Sequence, residues 1–419
     1  MNNKRNVISC LFAVGVVLGV SSATLTVDQV RQRYPWNGLV DIDYTIALEQ
    51  GESFDADDDL EVLMIDKGGD TVVTNRANRF LQTLLPMTAG SHRITWDANY
   101  DGVTNYTDNA EFHLKIDHYA ATYMVIDISG GTTAEVYKVD FYNGVPANRF
   151  LSDEYRGDKI VLRRIHPGSY VAGSPTTEEG RNQQYAGKET QHPVALSRPF
   201  YIGIFEVTQK QYQNVTGKDP STYKGAYRPV EMVTYDEIRG GNWPPSEEVS
   251  PNSFAGKLSE KCRAKDADGN YTLDVKGFDL PTEFQWEYAC RAGTTGPRYS
   301  TGTNWGRWKE TMTDVWGGYT DQKHTVVGCY EPNAWGLYDM LGNVYEWCRD
   351  RLSDDPATLK QYVDPKGDPS PTNERQVQRG SSWGASLSSA RAAYRYPAGG
   401  KTSDLKYESR GFRISLTLP

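Results

Sequence analysis

Asp97, Asn99, Asp101, Gly102 and Asp108 fall in the order of a calcium loop of the D-x-[DN]-x-[DN]-G-x5-E kind, with aspartate where glutamate is usual. Calcium takes roughly six to eight hard oxygens, from carboxylates and carbonyls, in a flexible ring. The shorter last side chain makes bidentate ligation harder, and the flanks read as strands rather than helices. An acidic β-turn is therefore the equal alternative. Cys262, Cys290, Cys329 and Cys348 are the cysteines beyond the N-terminal segment, and none forms a C-x-x-C pair. They read as buried small hydrophobes, or, if one pair forms, as Cys290 with Cys348. The histidines, at 92, 113, 118, 166, 192 and 324, are scattered. His113 and His118 read as strand and turn surface. Tyr299, Trp305, Trp308, Trp316 and Tyr319 fall in a long loop, where aromatics either stack on sugars and peptides or plug a loop-rich core. Residues 55–59 form an acidic run that reads as a solvated loop.

These residues sit in a chain of 419, 24% charged, 38% hydrophobic and 12% aromatic. That is too aromatic for a disordered chain and has neither a collagen nor a heptad period. The length predicts two or three domains. The formal charge of −9 argues against a large nucleic-acid surface. Lys4 and Arg5 precede an apolar run from Val7 to Val20, with small residues at Ser21, Ser22 and Ala23. This predicts a secretory signal peptide over residues 1–23. Its removal would take two cations and no acid, so −9 becomes −11. Cys10 has no apolar run before it, which argues against a lipoprotein box. The run is too short to span a bilayer, which needs ~20 residues, and no second long apolar stretch follows. The expectation is an exported chain without a membrane span, periplasmic, cell-surface or extracellular.

The elements differ between the two halves. From Leu39 to about Tyr137 apolar residues alternate: Ile42, Tyr44, Ile46 and Leu48; Ile94 and Trp96; Phe112, Leu114 and Ile116. Tyr123 to Ile128 is a more continuous apolar strand. Short strands between Gly, Asn and Asp clusters predict an all-β sandwich of immunoglobulin-like architecture over residues 24–150. A polar linker is placed at 151–158. Beyond Lys159, short strands alternate with short helices and long loops, an α+β texture. Thr208 with Gln211 and Thr282 with Gln285 are capping boxes. Phe254, Leu258 and Cys262 form a helical stripe in residues 250–265. Glu283 and Glu287 share one face of the helix after Thr282, a mildly destabilising like-charge pair, while Glu287 and Arg291 are a favourable one.

The second half, residues 159–419, resembles the formylglycine-generating-enzyme, or sulfatase-modifying-factor, domain. The resemblance rests on an ordered set of blocks. They include Arg164 to Tyr170, Glu206-Val207-Thr208, Arg228-Pro229-Val230, Leu280 to Ala289, Asn333 to Trp347, Arg379 to Trp383 and Arg410-Gly411-Phe412-Arg413. It implies a C-type-lectin-like α+β domain with little regular secondary structure. It also aligns Asp339, Gly342, Val344 and Glu346 with the family's calcium loop, two carboxylates and two carbonyls. By spacing alone, Gly342-Asn343 is a hairpin turn.

The family's oxidases hold copper through two cysteines after the Arg-Gly-Gly-Ser-Trp block, soft thiolates that suit Cu(I). Here residues 384–396 contain no cysteine. An iron-dependent relative uses clustered helical histidines in an added domain, and the histidines here are not clustered. Copper and iron therefore have no expected site, and calcium is the expected ion. Binding proteins with this domain carry a diverse surface segment before Gly-Phe-Arg. Ser386, Ser388, Tyr394, Tyr396, Lys401, Asp404, Lys406 and Tyr407 supply such a surface, with Tyr for rigid amphipathic contact and Ser for adaptable hydrogen bonds. Trp383, Arg391, Arg395 and Phe412 read as framework. The expected function is calcium-stabilised, non-catalytic binding of a protein, peptide or glycan. The alternatives are a metal-dependent oxidase acting on a peptide or small molecule, and an envelope interaction module.

Overall fold

The computed structural model describes residues 24–33, 38–47, 59–66, 73–76, 89–99, 110–117, 122–142, 144–145, 150–240, 248–265, 271–297, 323–370, 375–396 and 405–418. The expected signal peptide, Leu48, residues 55–58 of the acidic run, Asp101, Asp108, Lys401, Asp404 and the loop aromatics from Tyr299 to Tyr319 lie outside them. The chain divides into two compact units between Ala121 and Thr122. Among the described residues no helix is long and apolar enough to cross a membrane.

The first unit is all antiparallel sheet. Strands β1 (Thr24–Gln32), β2 (Leu39–Ala47) and β5 (Gly90–Asp97) form one sheet in the order β1-β2-β5. Strands β3 (Asp59–Asp66), β4 (Val73–Arg76) and β6 (Ala110–Asp117) form the other, in the order β4-β3-β6. The alternation in β2 does what its period requires. Val40, Ile42, Tyr44 and Ile46 are buried, while Asp41, Asp43 and Thr45 face outward. That outer face carries cross-strand charge pairs, Arg33 to Asp41 at 2.9 Å and Arg93, directly opposite, to Asp43 at 2.5 Å. Trp96 of β5 meets Phe112 of β6 edge-on, ring centres 5.9 Å apart.

The second unit is mostly sheet with few helices. Its main sheet holds β7 (Tyr123–Asp127), β8 (Lys138–Tyr142), β9 (Lys159–Ile165), β12 (Phe200–Gly203), β15 (Phe278–Asp279) and β19 (Ser415–Thr417), all antiparallel, in the order β15-β19-β12-β9-β7-β8. Two hairpins flank it, β10 (Gly168–Ala172) with β11 (His192–Leu196) and β13 (Arg263–Lys265) with β14 (Tyr271–Asp274). A third sheet pairs β16 (Tyr345–Arg351) antiparallel with β17 (Gln376–Arg379) and parallel with β18 (Arg410–Gly411). The helices are α1 (Asp153–Gly157), α2 (Gln209–Thr216), α3 (Tyr235–Ile238), α4 (Phe254–Lys261) and α5 (Glu283–Arg291).

Two boundaries are corrected. Tyr123 to Asp127, assigned by sequence to the first domain, lies inside the second unit's sheet, with Val125 opposite Val161 and Asp140. Four of its five residues are buried, as in a strand covered on both faces, and this is why it reads as a continuous apolar run. Residues 151–158, taken as a linker, contain α1. The Phe150 ring sits 5.0 Å from both Tyr123 and Tyr155 and locks that helix to the sheet. Both expected capping boxes are present, Thr208 with Gln211 and Thr282 with Gln285. The stripe through Phe254 and Leu258 is helical, but the helix stops at Lys261 and the chain turns into β13. The four described cysteines are all free, and Cys290 and Cys348 are buried without pairing.

Candidate functional site

Helix α5 anchors the region. Glu283 and Glu287 are buried, and the like-charge clash expected between them is resolved by arginines. Arg379 Nη2 donates to both, at 3.1 and 3.0 Å. Arg395 holds Glu283 at 2.6 and 2.8 Å, and Arg291 holds Glu287 at 2.7 and 3.0 Å. Arg391 is gripped by Glu189 and Glu178, each at 2.7 Å. Phe412 is buried against Phe254 and Tyr212. Trp383 is half-buried, edge-on to Tyr223 at 5.6 Å, with its indole N–H donating to the Glu408 carbonyl. All four expected framework residues thus hold the segment around residues 381–413 in place.

The turn before β16 is built on Gly342, at φ 103°, and Asn343, at φ 54°. Gly342 N–H donates to the Gly380 carbonyl at 2.6 Å, and the Asn343 carbonyl accepts from Trp383 N–H at 2.9 Å. The Asn343 side chain accepts from Thr325 N–H and donates to Glu206, whose carboxylate also accepts from Val344 N–H. Asp339 accepts from Gly328 N–H at 2.6 Å, and its Oδ1 has no partner. Burial pushes the Asp339 carboxyl up to about 6, and Gly328 N–H partly opposes this. Burial, then the Asp339 and Glu346 charges, push Glu206 well above the carboxylate range.

In the expected calcium set, Asp339, Gly342, Val344 and Glu346, the two carboxylates differ: Asp339 has a free oxygen and Glu346 is bound by an arginine. Both Glu346 oxygens are engaged. Oε2 accepts from Trp286 Nε1 at 2.7 Å and Arg413 Nε at 2.6 Å, and Oε1 accepts from Arg413 Nη2 at 2.7 Å. Glu346 is thus charge-paired, while Asp339 Oδ1 is open to a ligand. Among the described residues no three His, Cys, Asp or Glu side chains are grouped to hold a metal. In the other set, Asp97 ends β5 and the Asn99 amide packs where a Gly38 side chain would sit. The loop runs from β5 to β6, so its flanks are strands, not the helices of an EF-hand.

The described cysteines do not substitute for the missing pair. Cys262, Cys290 and Cys348 are buried, and burial pushes their thiols up, Cys262 to about 12. The exposed Cys329 is also raised, by partial burial and then by Asp339.

The final segment instead gathers hydroxyls and rings. Ser386 and Ser388 are exposed, their Oγ atoms 2.7 Å apart, on the turn that carries the buried Ser389. Ser389 Oγ lies 2.7 Å from Ser381 Oγ. The Tyr345 hydroxyl is within hydrogen-bonding range of Ser389, Ser381 and Tyr394, and burial pushes it up. Tyr345 and Tyr396 rings are 4.8 Å apart. Arg410 lies beneath, its guanidinium 3.8 Å from the Tyr407 ring centre and 5.3 Å from that of Tyr396. Lys406 is exposed and reaches Glu237 of α3 at 2.9 Å. Tyr394, Tyr396 and Tyr407 are therefore brought together, Ser386 and Ser388 sit on the adjoining turn, and Lys406 points to α3. Sequence reasoning missed Tyr345 and Arg410. Both lie inside motif blocks, and only the pairing of β16 with β18 brings them to this surface.

A fold of short sheets knitted by buried Arg–Glu pairs, ending in this segment, defines the class. The model of the sulfatase-modifying factor enzyme 1-like domain matches residues 152–417, and the chain belongs to that family. It is 33% identical over 224 residues to the chaperone protein LppX of Paenibacillus barcinonensis, covering 48% of this chain and 75% of the relative. It is 33% identical over 284 residues to the inactive C-alpha-formylglycine-generating enzyme 2 of Mus musculus, covering 59% and 83%. It is 35% identical over 158 residues to the formylglycine-generating enzyme of Streptomyces coelicolor, covering 35% and 49%.

Proposed function

We propose that this chain is an exported, non-catalytic ligand-binding member of its family, with a β-sandwich ahead of the family domain. The carrying observation is the final segment. Where the copper-binding oxidases need two thiolates, residues 384–396 offer none, and Tyr394, Tyr396 and Tyr407 with Ser386 and Ser388 face outward or half-outward instead. Aromatic rings with few rotatable bonds lose little entropy on binding, and small hydroxyls adapt to a ligand. The names of two relatives, an inactive enzyme and a chaperone, support a role without oxidation. The basic and apolar start of the chain supports export, and the edge contact of Trp96 with Phe112 supports two sheets packed face to face. For calcium, the reading keeps both expected sets, the loop that begins at Asp97 and the set at Asp339.

Glycan and peptide arrays probed with the purified chain test the binding role. The expected result is a restricted set of bound ligands, lost in the Tyr394→Ala/Tyr396→Ala double variant that still melts cooperatively. Equal retention by that variant would move the binding surface elsewhere.

A further inference from the structure

Arg410 differs from six other buried arginines of this unit. Arg239, Arg291, Arg379, Arg391, Arg395 and Arg413 are buried, and each is held by a carboxylate at 3.1 Å or less. Arg410 is also buried, at 5% exposure, yet no carboxylate pairs with it among the described residues, and its Nη1 has no hydrogen-bond partner. A buried cation without a counter-ion is costly unless something stabilises it. Here rings and one hydroxyl do: Tyr407 lies at 3.8 Å, Tyr396 at 5.3 Å and Trp347 at 5.7 Å from the guanidinium carbon, and the Tyr396 hydroxyl is within hydrogen-bonding range. Stacking on ring faces is a weaker partner than a two-point carboxylate, whose geometry matches the guanidinium fork.

The covering ring is partly open to solvent. Tyr407 is 40% exposed. Its backbone is fixed independently, since the Tyr407 carbonyl accepts from Met232 N–H and Arg410 N–H, and the Ser409 carbonyl accepts from Tyr345 N–H. A χ1 rotation of Tyr407 would therefore uncover the guanidinium without moving the chain. Around the uncovered charge would stand the rings of Tyr396 and Tyr345, with the exposed hydroxyls of Ser386 and Ser388 on the turn whose Ser389 meets the Tyr345 hydroxyl.

Resting on the ligand-binding reading above, we propose that Arg410 is the anion-binding centre of this surface, and that the carboxylate of an acidic sugar displaces the Tyr407 ring from it. The sugar assignment follows from the surroundings. Flat tyrosine faces stack on the C–H face of a pyranose, and clustered hydroxyls match its hydroxyl groups. No covalent step is involved.

Calorimetric titration of the full chain with trigalacturonate, its methyl-esterified neutral form and a Glu-rich hexapeptide tests this. The acid is expected to bind, with the ester weaker by about tenfold, the loss of a charge-assisted two-point contact. Arg410→Lys should weaken the acid by about tenfold while leaving the ester unchanged. Tyr407→Ala should tighten the acid several-fold, and as an exposed side chain it keeps the test open if the Arg410 variant does not fold. Equal binding of acid and ester, or a Tyr407→Ala variant no tighter than wild type, overturns the anion centre while leaving the surface a binder. Binding of the hexapeptide in preference to the sugar overturns the sugar assignment, and so does no binding of any probe. Oxygen uptake with a cysteine peptide would instead bring down the binding reading itself.

Discussion

Arg413 grips Glu346 at two points, Nε to Oε2 at 2.6 Å and Nη2 to Oε1 at 2.7 Å, with both side chains buried. Arg413 also donates to the carbonyls of Gly203 and Tyr338, so one guanidinium ties β18's end to β12 and to the turn before β16. This carboxylate is the one that the motif assigns to calcium. Glu346→Gln leaves a buried guanidinium short of its counter-ion, and removal of one partner of such a pair costs about 3–5 kcal/mol. Denaturant unfolding of the variant should show a loss of that order, unrelieved by millimolar calcium. Calcium stabilisation of wild type that the variant loses would mean that Glu346 serves as a metal ligand.

Asp339 gives a pH dependence of defined sign. Its folded carboxyl titrates at about 6 against 3.8 for the ordinary group, because burial disfavours the charge. The folded state therefore holds more protons than the unfolded state between these values, and stability falls as pH rises through that window. Glu206, also raised by burial and by Asp339, acts in the same direction. Asp339→Asn keeps an acceptor for Gly328 N–H and removes the charge. The variant should gain stability over wild type at pH 7.5, and the gain should vanish by about pH 4. A difference that does not vary with pH would contradict this.

Thiol accessibility gives a third expectation. Cys329 is exposed, whereas Cys262, Cys290 and Cys348 are buried and free. A thiol reagent applied to the native chain should label Cys329 first, yet more slowly at pH 7 than an unperturbed thiol, because its thiol is raised and less of it is thiolate. The three buried thiols should react only on unfolding. Reduction being needed before any of them reacts in denaturant would reveal a disulfide.

The fourth concerns the domain edge. Strand β7 lies between β8 and β9 in the main sheet. A chain of residues 122–419 should fold as a monomer. A chain of residues 159–419 lacks both strands, exposes the edge of β9, and should aggregate. Equal solubility and cooperative melting of the two would refute that placement.

What the residues disclosed in advance follows from which forces are local. The alternation of Ile42, Tyr44 and Ile46 is a local period, and it appears as the buried face of β2. The capping boxes at Thr208 and Thr282 close within four residues and appear as expected. Tyr123 to Asp127 was misassigned because a strand buried on both faces carries no period to say which sheet it joins. The pairing of Glu346 with Arg413 was not legible because the two lie 67 residues apart. Arg410 and Tyr345 were passed over for the same reason: their setting exists only once β16 and β18 pair. The expected ligand segment was legible in outline, as Tyr and Ser residues between two framework blocks. That Tyr407 covers a guanidinium without a counter-ion was not.

The binding role proposed above requires that the chain leave a cysteine substrate unoxidised. Oxygen uptake by the purified chain, supplied with Cu(I) and a cysteine-containing peptide, tests it most directly. The expected result is uptake no greater than in a control without protein, with the peptide thiol intact by mass spectrometry. Uptake that depends on the chain, with conversion of the peptide cysteine to an aldehyde, would overturn the non-catalytic role.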